Sequence, residues 1–457
     1  MSMNIEKLVE IVRGSLTEKD LVPVKQLKDK KFVSKVKKLF SLPTYEQIKE
    51  LANKLEEPID YFFINLKGLI CPIVYFHDGL FMEINATNDD YLKNFKVKET
   101  LKFRLNLLQE SINNNNYEEF FIRMDSKVRI LMFKRLFNKI PDKDLYNIFL
   151  KIYSHADYGF QEIAPEHFSR IIKCKTEKQQ KEIEQNLGIG LNKDGFLTVY
   201  RGMINKSTSA DKAYSWTTNI DTATFFATRF SQIGNVCTGN VNIKDVVVYI
   251  GNRGEHEILA LPGKVKYIKQ MDFWSIEKVY NNFPEFIKAY AFEVSDIKKE
   301  YFLVPDSIHG ILHTKRVLLL SYIIGLYENL NSQDLKVVLT AAKYHDIGRT
   351  NDNYDETHGI LSFNKMIQLK LVNKDMKDIH ILKFIIDNHC ISDNQGIENL
   401  KNYPITDKNR AIHLYYILKD ADGLDRVRLR DTDIEYLRLP ISKKLPLAAQ
   451  QIYQKLK

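Results

Sequence analysis

The chain has 457 residues, a net charge of +9 and 44% hydrophobic residues. At about 150 residues per domain this length predicts about three domains, and an aromatic content of 11% excludes a largely disordered chain. Four scattered cysteines without paired spacing argue against a disulfide framework or a zinc ribbon. The sequence has no signal-like start and no apolar run of about 18 residues, so we expect no membrane partner and a cytoplasmic location.

The first 95 residues predict an α/β region of unknown role. Seven lysines lie between Lys25 and Lys38, which predicts a solvated helix face, with an acidic partner such as nucleic acid as the alternative. Residues 69–82 predict one or two strands around the turn His77-Asp78-Gly79. From residue 98 to about 186, apolar residues recur at helical spacing, and these helices form the predicted lead-in to the next domain.

From Gly195 the hydrophobic period changes to two, which predicts a small split β-sheet. The predicted strands are 196–200, 214–217, 236–241, 246–250, 255–261 and 264–268. Asp221 is a good N-cap for a single helix among these strands.

Three short pieces of this region carry chemistry: Arg201, Ser215-x-Thr217 and Glu255-x-Glu257. An arginine fork can pair with pyrophosphate or ribose oxygens, and a serine hydroxyl can hold a carboxylate in place. Period-two alternation predicts that Glu255 and Glu257 share one face of a strand. One carboxylate can then stabilise an oxocarbenium-like ribose while the other orients or deprotonates a nucleophile.

This ordered series resembles the R-S-E signature of the ADP-ribosyltransferase family over about 75 residues. The resemblance implies that NAD is the cofactor, that Glu257 is catalytic and that Glu255 serves arginine-modifying members. It further implies a Phe-rich wall for nicotinamide at Phe225 and Phe226. Trp216 either stacks on a ring of NAD or packs under the sheet. The predicted NAD-binding residues are Arg201, Gly202, Ser215, Trp216, Thr217, Phe225 and Phe226.

A second constellation of histidines and aspartates begins after residue 294, where the pattern is helical again. A histidine, an adjacent His-Asp pair and a distant aspartate can converge from separate helices on one divalent ion, with Mn, Fe, Ni, Co, Zn or Mg as the candidates. On the helix predicted over 335–345, His345 lies on the apolar stripe and points inward.

These residues resemble the HD phosphohydrolase superfamily over roughly 130 residues. The resemblance implies four metal ligands, with Asp420 as the alternative to Asp422, and two further histidines in members with two metals. The residues that it selects are His313, His345, Asp346, Asp422, His358 and His389. His309, on the same helix face as His313, is a candidate for binding substrate phosphate, and Arg316 and Arg349 for neutralising its charge.

We therefore expect a multidomain α+β protein in three parts. They are a mostly helical N-terminal region (1–95), an ADP-ribosyltransferase-like domain with a helical lead-in (96–290, core 195–270) and an all-α HD domain (291–457). The expected function is that of a toxin-like or defence effector that transfers ADP-ribose from NAD to a protein or nucleic acid. The HD site would process or reverse the product by acting on a phosphorylated or nucleotide substrate. The alternatives are an HD domain that binds a nucleotide and regulates the transferase, and an NAD glycohydrolase.

Overall fold

A computed structural model describes residues 15–36, 42–68, 72–85, 92–93, 95–154, 163–205, 207–251 and 254–457. The chain divides into two compact units, Met1–Gln185 and Asn186–Lys457. Both contain helices and an antiparallel sheet, and the C-terminal region is helical, which confirms the predicted mixed α+β class. The finer three-part division stays a prediction. No helix in the described part of the chain is long and apolar enough to span a bilayer.

The first unit contains a four-stranded antiparallel sheet in the order β1-β2-β3-β4. Its strands are β1 (Leu21–Pro23), β2 (Phe62–Asn65), β3 (Ile73–His77) and β4 (Leu80–Glu83). Asp78 and Gly79 both have positive φ, as a tight hairpin turn requires, so the predicted turn is correct. Residues 69–71 of the predicted strand lie outside the described residues.

The helices of the first unit follow the predicted apolar stripes. They are α1 (Lys30–Val36), α2 (Tyr45–Leu55), α3 (Val97–Asn113), α4 (Tyr117–Arg123), α5 (Ser126–Leu136), α6 (Asp142–Ser154), α7 (Pro165–Lys173) and α8 (Glu177–Leu187), the last of which continues past Gln185. Lys30, Lys31 and Lys35 are exposed on or near α1, as a solvated face requires.

The second unit begins with a six-stranded antiparallel sheet in the order β10-β7-β5-β6-β9-β8. Its strands are β5 (Phe196–Met203), β6 (Ser215–Thr217), β7 (Asn235–Asn242), β8 (Val246–Ile250), β9 (Glu257–Ala260) and β10 (Lys266–Gln270). Each predicted strand of this region overlaps an observed one. The three strands with the predicted catalytic residues, β5, β6 and β9, are neighbours.

The start of β9 differs from the prediction. The strand begins at Glu257 rather than Glu255, because His256 adopts a left-handed conformation with φ of 46°. Period-two alternation holds only along extended backbone. The prediction that alternation places both glutamates on one strand face is therefore wrong, and Glu255 lies in the loop before the strand.

The helix α9 (Ile220–Thr228) follows β6 and begins two residues earlier than an N-cap at Asp221 would predict. Its N-cap is Asn219, whose side-chain oxygen accepts a hydrogen bond from the Thr222 N–H at 2.8 Å. Asp221 is not the cap. It is buried in the first helical turn, and burial raises the pKa of its carboxyl to about 6.

Gly202 allows β5 and α9 to pack in direct backbone contact. A Cβ at this position would lie 1.9 Å from the carbonyl oxygen of Ala223 on α9, so any side chain would push the helix off the sheet. Gly202, which is predicted to bind NAD, therefore has a packing role in the fold.

We expect Gly202→Ala to destabilise the second unit by about 3 kcal/mol, the upper range for overpacking a well-packed site. Urea unfolding followed by circular dichroism would measure the change. Gly188→Ala is the matched control, because its added Cβ meets no atom within 4 Å. Equal stability of the two variants would contradict the packing argument.

The rest of the second unit is helical and surrounds one large apolar core. Its helices are α10 (Ile276–Asn282), α11 (Phe286–Val294), α12 (Ile311–Tyr327), α13 (Ser332–Tyr344), α14 (His358–Gln368), α15 (Ile379–Asn388), α16 (Asp393–Asn399), α17 (Lys408–Asp425) and α18 (Pro446–Lys455). The helix α12 begins after His309, so His309 lies in the preceding turn and not, as predicted, on the same helix as His313.

The sheet and the helical part of the second unit are packed together. Gln454 on α18 donates a hydrogen bond to Thr228 on α9 at 2.9 Å. Leu447, also on α18, joins a small buried apolar cluster with Ala223 and Ala227. Burial of these groups makes α9 the shared element between the sheet and the helices.

Candidate Arg–Ser–Glu cluster and metal centre

Arg201, Ser215 and Glu257 meet in the middle of the six-stranded sheet, and we call them the Arg–Ser–Glu cluster. The Ser215 hydroxyl donates a hydrogen bond to Glu257 Oε1 at 2.6 Å. Arg201 Nη1 donates to the carbonyl oxygen of Ser215 at 2.7 Å, and Nη2 donates to that of Thr208 at 3.3 Å. The arginine thus supports the strand that holds the glutamate.

Thr217 fixes the loop that carries Glu255. Its hydroxyl donates to the main-chain oxygen of Glu255 at 2.6 Å, and the N–H of Thr218 donates to the oxygen of His256 at 3.1 Å. Thr217 is itself buried. Its position therefore favours anchoring of the loop over direct contact with a ligand.

The predicted NAD-binding aromatics differ in access. Trp216 is 2% exposed and belongs to the core, so of the two predicted alternatives the structure has the packed one. Phe225 is 42% exposed, and its ring lies 5.5 Å from that of Phe226 at 77°. Of these two rings on α9, that of Phe225 remains open to a flat ligand.

Arg229 is a candidate residue that the sequence analysis missed. Its guanidinium lies 4.9 Å from the ring centroid of Phe226 and 5.2 Å from that of Phe230. Its Nε is buried and has no hydrogen-bond partner among the described residues. A half-buried cation without an anionic partner suits an incoming phosphate. The signal in the sequence was the Phe-x-x-Arg spacing from Phe226.

The second constellation forms a buried group of histidines and aspartates that could hold a metal ion, which we call the His–Asp centre. His313 lies in the first turn of α12, whereas His345 and Asp346 follow α13 and Asp422 lies near the end of α17. His313 Nε2 is 3.2 Å from His345 Nε2, 3.5 Å from Asp346 Oδ2 and 3.4 Å from Asp422 Oδ1. These four predicted ligands converge.

The two further histidines converge on the other oxygen of Asp346. His358 Nε2 and His389 Nε2 lie 3.0 Å and 3.3 Å from Asp346 Oδ1, and 2.9 Å from each other. Gly359 makes this approach possible, since a Cβ there would lie 2.4 Å from the oxygen of Ile386. One carboxylate therefore faces two groups of donors, each of which could hold a metal ion.

The tautomers of the histidines fit a metal. The Nδ1 atoms of His345, His358 and His389 lie 3.0, 2.6 and 2.7 Å from main-chain carbonyl oxygens, which only accept hydrogen bonds. The proton must then be on Nδ1, and each Nε2 presents a lone pair. The lone pairs of His358 and His389 face each other at 2.9 Å. A metal cation between them would satisfy both nitrogens.

Electrostatics agree with this assignment. Burial lowers the pKa of His345 to about 3, so its imidazole is a neutral ligand at any working pH. Burial alone would raise the pKa of the Asp346 carboxyl, but the imidazoles of His345, His313, His358 and His389 that surround it favour the carboxylate and hold this pKa well below its usual range. A buried centre that keeps its carboxylates ionised attracts a divalent cation.

Asp425 supports His313 from behind. Its Oδ2 accepts a hydrogen bond from His313 Nδ1 at 2.8 Å. Arg316 donates to both carboxylate oxygens, from Nε to Oδ1 at 2.6 Å and from Nη2 to Oδ2 at 3.0 Å. Arg316 is 4% exposed and also donates to the carbonyl of Leu456. Its predicted role of neutralising substrate phosphate does not fit this buried pairing.

We expect Asp425→Asn to weaken metal binding about 10–100-fold, the range for residues that orient a metal-bound histidine. The loss of the carboxylate frees His313 to turn and leaves Arg316 without its buried partner. Competition with a chromogenic chelator would measure the affinity. Asp407→Asn, which only caps the start of α17, is the control. Equal affinity of the two variants would exclude a role for Asp425.

Three other candidate residues lie around this centre. Asp420 is fully buried and accepts hydrogen bonds from the main-chain N–H groups of Arg438 and Leu439, so it is not available as the alternative ligand. His309 pairs with Asp352 at 2.9 Å, and its ring lies 5.7 Å from that of His313. Arg349 lies 3.1 Å from Asp346. The last two border the centre and are partly open to solvent.

Comparison of the chain with protein-family models, with curated proteins and with solved structures finds no match. The residues of the two sites are therefore the basis for assigning a function.

Proposed function

We propose that the chain transfers ADP-ribose from NAD at the Arg–Ser–Glu cluster and hydrolyses a phosphate ester at the His–Asp centre. The hydrogen bond between Ser215 and Glu257, together with the bond from Arg201 to the main-chain oxygen of Ser215, is the observation that supports the transferase. The position of Asp346 between two groups of imidazole nitrogens supports the proposed hydrolase activity. Transfer onto a macromolecule fits a toxin-like or defence effector.

In the proposed transfer, the bond between ribose C1′ and nicotinamide breaks, and nicotinamide leaves with the bonding electrons. Glu257 stabilises the positive charge that develops on the ribose, and Ser215 holds the carboxylate in place. The acceptor bonds to C1′ and gives its proton to Glu255. Because Arg201 already donates to two carbonyl oxygens, Arg229 is the better candidate for the pyrophosphate.

At the His–Asp centre, the six converging ligands would hold one or two divalent cations. When bound, such a cation lowers the pKa of a water molecule and neutralises charge on phosphoryl oxygens. Arg349 and His309 border the centre and would orient the phosphate. Asp425 keeps the His313 proton on Nδ1, so that its Nε2 faces the metal.

Label transfer from adenine-labelled NAD in a host lysate tests the transferase, with protein and nucleic-acid fractions counted separately. Label that depends on Glu257 supports the proposal and identifies the class of acceptor. Its absence from both fractions, with NAD unconsumed, would overturn the transferase assignment. Label that persists in His345→Ala but declines with the wild type would show that the His–Asp centre reverses the modification.

A specific set of contacts favours a second candidate, in which the His–Asp centre binds a nucleotide and regulates the transferase. The chain that leaves Asp425 contacts the start of α9, where Arg430 and Thr432 bond Asn219 and Asp221. A regulator predicts that metal and nucleotide change NAD turnover without release of phosphate. Release of phosphate that depends on His345 favours the hydrolase.

A further inference from the structure

We propose that Arg430, in the helical part of the second unit, is an arginine that the Arg–Ser–Glu cluster ADP-ribosylates in its own chain. The inference rests on the proposed transferase function and names an acceptor for it. The resemblance to arginine-modifying ADP-ribosyltransferases implies an arginine acceptor for Glu255 and Glu257. The structure places the Arg430 side chain beside Gly254, in the loop that carries Glu255.

The segment 426–433 leaves the end of α17 and runs against the end of β6. The carbonyl oxygen of Arg430 accepts a hydrogen bond from Asn219 Nδ2 at 2.8 Å, and the N–H of Thr432 donates to Asp221 Oδ2 at 2.8 Å. Arg430 has a left-handed backbone with φ of 59°. These two contacts, at and just after the left-handed residue, fix the point from which the Arg430 side chain projects.

The guanidinium of Arg430 reaches the loop before β9. Its Nη1 lies 3.6 Å from the position of a Cβ built on Gly254, the residue directly before Glu255. Thr217 holds the same loop through the main-chain oxygen of Glu255. Asn219, which contacts Arg430, also donates its N–H to the Thr217 hydroxyl at 3.0 Å. Arg430 and Glu255 are therefore positioned by one small hydrogen-bond network.

Arg430 is also the arginine of this segment that is free to react. Arg426 pairs with Asp431, and Arg428 donates to the carboxylate and main-chain oxygen of Asp425. Arg430 is exposed, and among the described residues no carboxylate or hydrogen-bond acceptor contacts its guanidinium. A guanidinium held in an ion pair would have to break that pair before it attacked a sugar.

Each bond, electron pair and proton in the proposed reaction has a source and a destination. A nitrogen of Arg430 forms a bond to C1′ of the NAD ribose as the bond from C1′ to nicotinamide breaks. Nicotinamide leaves with the electron pair of that bond, and the proton lost from the guanidinium passes to the Glu255 carboxylate. Because an arginine side chain is protonated at neutral pH, this proton acceptor is a requirement of the reaction.

The test incubates the purified full chain with NAD and maps ADP-ribose by peptide mass spectrometry. We expect one ADP-ribose per chain, on Arg430, at a rate that does not depend on protein concentration. Arg430→Lys keeps the charge and removes the acceptor, and its label should fall at least about tenfold, a change of about 1.4 kcal/mol. Arg426→Lys is the matched control in the same segment and should keep the label.

Agmatine, a free guanidino compound, separates failure of this inference from failure of the function. If the wild type modifies agmatine but Arg430 carries no ADP-ribose, the inference is overturned and the transferase stands. If NAD is neither consumed nor transferred, both are overturned. The wild-type peptide map decides the matter even if Arg430→Lys does not fold, because label on other residues alone also excludes the assignment.

Discussion

Replacing Glu257 by glutamine is expected to lower the rate of NAD consumption about 10²–10³-fold, as when one group that stabilises transition-state charge is removed. Glutamine has nearly the same shape and can still bond Ser215, but it lacks the negative charge that stabilises the ribose cation. Nicotinamide release, measured by chromatography, reports the rate. The fold should be unaffected, since Glu257 is only half-buried at the start of β9.

The Glu255→Gln variant distinguishes the roles of the two glutamates. In the proposed mechanism Glu255 acts on the acceptor, so this variant should lose transfer to agmatine while it still hydrolyses NAD with water. Glu277→Gln, at an exposed position on α10, is the control for both variants.

If the Glu257→Gln enzyme keeps more than half of the wild-type rate, Glu257 has no catalytic role in the reaction.

The strands around the Arg–Ser–Glu cluster could be predicted because each buries alternate side chains. The strand Val246–Ile250 has the predicted bounds, and its turn residues limit it on both sides. The loop at Glu255 could not be predicted in the same way. It depends on the left-handed backbone of His256, and a pattern of hydrophobic residues contains no information on that φ.

The His–Asp centre shows a second limit. The sequence selected residues that converge in the fold, because imidazoles and carboxylates at helix ends are unusual beside apolar stripes. It left Asp420 and Asp422 as alternatives. Two residues apart on α17, they point in nearly opposite directions, and only the packing shows that Asp420 faces Arg438 and Asp422 faces His313.

Arg229 and Arg316 illustrate the same difficulty for cations. Both are arginines near apolar residues, and of the two the sequence analysis selected only Arg316 for neutralising phosphate. In the fold, Arg316 is neutralised by Asp425, whereas Arg229 lies over two rings without a carboxylate among the described residues. Whether a cation can bind a phosphate depends on its neighbours in space, and those neighbours are far away in sequence.

Addition of Mn²⁺ to chelator-treated protein is expected to raise the Tm of the second unit, and Asp346→Asn is expected to abolish that rise. A ligand at about 100 times its Kd stabilises the folded state by about 2.7 kcal/mol. For a unit of this size that corresponds to about 5–10 °C. Asp346 is the largest contributor because its two oxygens face His313 and His345 on one side and His358 on the other.

The comparison is between the metal-induced shifts of each variant, so a change in the stability of the metal-free protein does not affect it. Asp375→Asn, at an exposed position in the same unit, should keep the full shift. Release of phosphate from a nucleotide substrate should follow the same order among the variants. A wild-type Tm that does not respond to Mn²⁺, Fe²⁺, Co²⁺, Ni²⁺, Zn²⁺ or Mg²⁺ would mean that the facing imidazole lone pairs are satisfied by protons. The centre would then be a buried hydrogen-bond network, and the chemistry of the chain would belong to Glu257 alone.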